Sequence, residues 1–106
     1  MPKYLVKATL TVDGLKGLLK EGGTARREVV ERLVQSLGGQ VESMNWAFGG
    51  DDVYVMVDLP SNVSAAAMGL VTSAAGGVHT STVVLLTPEE IDEAVRQKAE
   101  YRAPGD

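Results

Sequence analysis

The sequence predicts an α+β domain in which helices pack on a four-stranded antiparallel sheet, and three observations lead to it. Two β-rich runs meet at Gly49-Gly50-Asp51-Asp52, a turn that glycine and aspartate fill at low conformational cost, so the pair reads as a hairpin. A helical pattern lies on each side of that hairpin. A further strand pattern lies near each end of the chain, which makes the order strand, helix, strand, strand, helix, strand, the arrangement of a ferredoxin-like split βαβ unit.

The first strand runs from Tyr4 to Val12 and sets Tyr4, Val6, Ala8, Leu10 and Val12 on one side, with Lys7, Thr9 and Thr11 on the other. Asp13-Gly14 breaks the alternation, a short apolar turn follows over Leu15 to Leu19, and Gly22-Gly23 interrupts it. Thr24 then offers a hydroxyl as N-cap, and the first long helix is expected from there to Leu37, with Val30, Leu33, Val34 and Leu37 forming its apolar stripe. Gly38-Gly39 ends it. The second strand, from about Gln40 to Phe48, sends Met44, Trp46 and Phe48 to the side expected beneath the helices and Ser43, Asn45 and Ala47 opposite. The third, Val53 to Leu59, places Val53, Val55, Val57 and Leu59 on one face and Tyr54, Met56 and Asp58 on the other, and Pro60 stops it. An Ala-rich helix capped by Ser61 or Asn62 extends to Ala75, where Gly76-Gly77 closes it. The fourth strand, Val78 to Leu86, has two similar faces, so hydrophobicity does not choose its inner side. Thr87-Pro88-Glu89-Glu90 is a capping box with proline at the first helical position, and a last helix is expected to about Ala99. The reading is one domain over residues 1–100 and a disordered tail over 101–106.

The composition excludes several function classes. With 14 Asp plus Glu against 10 Lys plus Arg, the chain lacks the positive field that nucleic acid or an anionic membrane attracts. It has no cysteine, which removes disulfides, thiolate metal sites and a cysteine nucleophile together. No apolar run approaches the roughly 20 residues of a membrane span, so a cytoplasmic protein is expected.

The opening Tyr4-Leu5-Val6-Lys7-Ala8-Thr9, the Gly-Gly before the second strand, the turn Gly49-Gly50-Asp51-Asp52 with Val53-Tyr54-Val55, the exit Asp58-Leu59-Pro60 and Val78-His79-Thr80 together carry a resemblance. From about Tyr4 to Ala94 the chain resembles the GYD domain family of small bacterial and archaeal proteins. The family usually has tyrosine between the glycine and aspartate of its name motif; this chain has Asp51 there, so Gly50 and Asp52 carry the match. The resemblance implies a ferredoxin-like subunit similar to the dimeric α+β barrel proteins, which pair sheets face to face around a shared interior. The two-faced fourth strand agrees, because a sheet with two helices can cover only one of its sides. Burying several hundred Å² of the second face at roughly 25 cal/mol per Å² contributes on the order of 10 kcal/mol, offset in part by the entropy of association. The expected partner is therefore a second copy, as a homodimer or higher homo-oligomer.

Candidate site residues follow from the same geometry. Lys7, Thr9, Asn45, Tyr54, His79 and Ser81 are expected on the face away from the helices, where a dimeric assembly would turn them into the lining of a small-molecule pocket or into hydrogen-bonded interface residues. His79 is the single histidine, and related barrels use such a residue as general base or haem ligand; no orienting carboxylate is near it in sequence. Asn45 and Trp46 are similar to the polar and aromatic residues with which cofactor-free monooxygenases of that superfamily hold substrate, although Trp46 shares parity with Met44 and Phe48 as a core residue would. Arg26 and Arg27, with Lys20, surround Gly22-Gly23-Thr24 at the expected helix start, where free N–H groups could hold an anion. Asp51 and Asp52 read as turn formers, and Met44, Met56 and Met68 as core filler. No acid, base and nucleophile constellation is present, and neither a cofactor nor a metal is predicted. A self-associating small-ligand-binding or regulatory module is the favoured expectation. The alternatives are a cofactor-free or haem-assisted oxygenase using His79, and a structural assembly subunit.

Overall fold

In the computed structural model, which describes residues 1–106, the chain runs β1 (Lys3–Leu10), α1 (Val12–Ser36), β2 (Gln40–Trp46), β3 (Val53–Asp58), α2 (Asn62–Ala74), β4 (Val78–Leu85) and α3 (Pro88–Val95). The strands form one sheet in the order β2-β3-β1-β4, with every neighbouring pair antiparallel. This is the ferredoxin-like arrangement with an additional C-terminal helix. No helix is long and apolar enough to cross a membrane.

The alternation in β1 and β3 builds the core. Tyr4, Val6 and Ala8 lie beside Val57, Val55 and Val53 in register, and all six are buried, with Leu59 just beyond. Val34 of α1 and Ala65 and Met68 of α2 close this layer from one side. Each buried valine or leucine contributes about 1.5–3 kcal/mol by leaving water. Tyr4 is buried with its hydroxyl satisfied, since it donates to Asn62 Oδ1 at 2.7 Å and so ties β1 to the start of α2. The cap of α2 is therefore Ser61, whose hydroxyl accepts from Ser64 N.

Several boundaries differ from those the sequence suggests: β1 ends at Leu10, and Val12, expected on its apolar side, is exposed at the start of α1. Helix α1 begins at Val12, well before Thr24, because the Thr11 hydroxyl accepts from Gly14 N and caps it. Gly22-Gly23 is a kink within α1: Gly22 has φ 81° and ψ 170°, a conformation open to glycine and strained for other residues. The tight approach of Gly14 to the backbone of Gly77 leaves no room for a Cβ at that position. Strand β2 stops at Trp46, and an irregularity between Val41 and Ser43 puts Val41 and Met44 on the core side together. Phe48 is consequently in the turn and fully exposed, and Trp46 is 37% exposed, so the expected Met44, Trp46 and Phe48 set is not a buried row. Helix α3 ends at Val95, short of Ala99.

The core layer is small. Only 10 of 106 residues are buried, and α3 packs substantially on none of the other elements. The radius of gyration is 16.9 Å, against about 13 Å for a compact chain of this length. Helix α3 is thus an arm extending from the end of β4, with Ile91 and Val95 exposed.

Two glycines of α1 provide opposite tests. A Cβ on Gly14 would stand 1.9 Å from the Gly77 carbonyl oxygen, whereas one on Gly17 would meet nothing within 4 Å. Gly14→Ala is expected to lower the stability measured by urea unfolding by about 1–3 kcal/mol. Gly17→Ala is expected to raise it by about 0.5–1 kcal/mol.

Candidate functional site

The face of the sheet away from the helices is set by the register of β1. Lys3, Leu5, Lys7 and Thr9 point there, because Tyr4, Val6 and Ala8 point into the core. Pairing across the sheet then produces continuous rows. Lys7 lies opposite Tyr54 of β3 and Ser81 of β4, and Tyr54 lies opposite Asn45 of β2. Asn45, Tyr54, Lys7 and Ser81 therefore form one polar row running across all four strands, with successive Cβ atoms about 4.5–5.5 Å apart. Thr9 and His79 are partners in the neighbouring row. On the other side of the polar row stand Ser43, Met56, Leu5 and Val83, and beyond them Gln40, Asp58, Lys3 and Leu85.

The six residues expected on this face are thus brought together on it. The inner side of β4, ambiguous in the sequence, is fixed by its partner: Val78, Thr80, Thr82 and Val84 lie opposite Leu10, Ala8, Val6 and Tyr4, on the helix side. Of the three methionines read as core, Met68 is buried and Met44 packs on the core, whereas Met56 lies beside Leu5 on the open face.

The charges on this face are unequally matched. Lys3 bonds both Glu42 and Asp58, the latter at 3.0 Å, and Gln40 Nε2 donates to the other Asp58 oxygen at 3.2 Å. Hydrogen bonding from Lys3, with help from Gln40, holds the Asp58 carboxyl below its ordinary 3.8. Bonds to Glu42 and then to Asp58 raise the Lys3 ammonium above its ordinary 10.5. Lys7, by contrast, has neither a hydrogen-bond nor an ion-pair partner; the other ion pairs are Arg26 with Glu21 and Arg27 with Glu31, both at 3.7 Å. The two arginines around the α1 kink are accordingly engaged by carboxylates of their own helix.

Sequence reasoning missed the work done by the turn aspartates. Asp52 Oδ2 accepts from Leu10 N at 2.8 Å, while the Asp52 N–H donates to the Ala8 carbonyl at 2.9 Å. The Thr9 hydroxyl donates to Asp51 Oδ1 at 3.2 Å. Both residues therefore stitch the hairpin to the end of β1. The signal was the aspartate pair itself, but its partner lies 42 positions away in sequence for each bond.

Two clefts lined largely by apolar side chains lie on the other side. One of about 390 Å³ is lined by Leu10, Leu15, Leu18, Trp46 and Phe48 among others, and one of about 370 Å³ separates α1 from α2 over Leu10, Leu33 and Val78. These clefts are dominated by apolar side chains, whereas the grouped donors Lys7, Tyr54, Ser81 and Asn45 lie on the open sheet face.

The model of the GYD domain family matches residues 4–95 of the 106-residue chain. No curated protein and no solved structure matches it.

Two stability tests follow from these contacts. Because the Asp58 carboxyl is depressed on folding, its contribution is present above pH 3.8 and is lost as pH falls through the lower folded value. The urea midpoint should fall on acidification over that range, and Asp58→Asn should flatten this part of the profile. Asp52→Ala, which leaves the Leu10 N–H without its acceptor, should cost about 1–3 kcal/mol by the same measurement.

Proposed function

Since the chain belongs to the GYD domain family, we propose that it acts as a self-associating small-ligand-binding module in which two copies pair their open sheet faces and enclose the polar row between them. The observation that supports this most directly is the one-sided covering of the sheet. Helices α1 and α2 lie on one face, and the other presents Leu5, Met56, Val83 and Leu85 around Asn45, Tyr54, Lys7 and Ser81. Apolar side chains on such a surface favour association with a matching surface, and a two-fold pairing uses the same patch on both copies.

Side-chain size supports an enclosed space. Stacked sheets lie about 10 Å apart and need side chains long enough to fill that gap. Ser43, Ser81, Thr9 and Asn45 are short, so pairing by Leu5, Met56, Val83 and Leu85 would leave room around Lys7 and Tyr54, the long side chains of the polar row. The exposed apolar residues Ile91 and Val95 of the α3 arm, which their own chain does not cover, offer additional surface to the second copy.

Light scattering at micromolar concentration should give twice the 11.2 kDa chain mass or a higher multiple. Val83→Glu combined with Leu5→Glu places like charges in opposed faces and should yield a folded monomer, with folding checked by circular dichroism. A wild-type monomer at these concentrations refutes the pairing. An oligomer whose melting temperature no metabolite shifts would instead identify a structural assembly subunit.

A further inference from the structure

The uncompensated charge of Lys7 specifies what the enclosed space would bind, an inference that rests on the pairing proposed above. In the single chain Lys7 is half-buried and flanked in its row by the neutral Tyr54 and Ser81. The two carboxylates Glu42 and Asp58 are held by Lys3, which is four residues back along β1 and so about 14 Å away. Asp51 is the remaining carboxylate near this face, and one of its oxygens is engaged by the Thr9 hydroxyl. Pairing two such faces brings two ammonium groups under cover without carboxylates in their row. An ammonium withdrawn from water without a partner is strongly destabilising, and a bound anion removes that cost.

The neutral residues of the row suit the same guest. Tyr54, Ser81 and Asn45 carry hydroxyl and amide donors beside the ammonium, the set that a carboxylate or phenolate oxygen accepts from. The adjoining row contributes Met56, Leu5 and Val83, an apolar strip directly beside the donors. We propose that the space between paired copies binds a small organic anion with an apolar body, its charged oxygen on Lys7, Tyr54 and Ser81 and its body along Leu5, Met56 and Val83.

Benzoate and its neutral counterpart benzamide are suitable probes, each added at about 10 mM against chloride of equal ionic strength, with melting temperature and light scattering recorded on the same samples. Benzoate should raise the melting temperature by about 5 °C, and benzamide by much less. Lys7→Met should weaken benzoate binding about tenfold or more in calorimetric titration, Lys7→Arg should retain it, and Asp51→Asn should tighten it by removing the nearest negative charge. Equal shifts by the two probes, or unchanged benzoate affinity in Lys7→Met, would overturn the assignment. A dimer that benzoate does not stabilise overturns the anion site alone, whereas a monomer overturns the pairing and the site with it.

Discussion

The structure depends on β1 being hydrogen-bonded on both edges. Through Lys3–Leu10 it pairs with β3 on one side and β4 on the other, and its two-residue alternation is imposed on both neighbours. Tyr4, Val6 and Ala8 then define the layer under the helices, while Leu5, Lys7 and Thr9 define the opposite surface. A slip of one residue would exchange these sets, burying Lys7 under α1 and α2 and exposing Tyr4. The core and the candidate site are two readings of one register.

Contacts distant in sequence hold that register. At one end of β1 the Tyr4 hydroxyl bonds Asn62 at the start of α2, so the core aromatic also fixes where the second helix begins. At the other end Asp52 accepts from Leu10 N and Asp51 accepts from Thr9. The Gly-Gly-Asp-Asp turn thereby closes a hairpin and pins it to the central strand. A hairpin turn alone would orient β2 and β3; these bonds align them with β1.

The two surfaces of the sheet differ in what the chain supplies to cover them. The inner one receives α1 and α2, although the helices leave an apolar cleft between them and the kink at Gly22 changes the course of α1. The outer one carries an ion-paired lysine at one end and an unpaired lysine at its centre. Charge is compensated at Lys3 and not at Lys7, so the two lysines of β1 differ in what the chain itself supplies to them. With the α3 arm also uncovered, the chain has more apolar surface than its own elements can bury.

Sequence by itself determined the element order, the inner faces of β1 and β3 and the capping of α3, because each is written in local periodicity or in neighbouring side chains. It also placed Lys7, Thr9, Asn45, Tyr54, His79 and Ser81 on one candidate face. Tertiary structure decided what depends on distant partners: the side of β4 that faces inward, set by pairing with β1; the start of α1 at Val12 behind its cap Thr11, where Gly14 closes on Gly77; and the bonds of Asp51 and Asp52 to β1. Phe48 departs from its expected inner side for the same reason. Parity holds only while a strand remains paired, and β2 leaves its ladder at Trp46 after an irregularity near Val41. Local pattern specifies which way a side chain points within an element, whereas only the assembled sheet specifies where the element ends and what lies across from it.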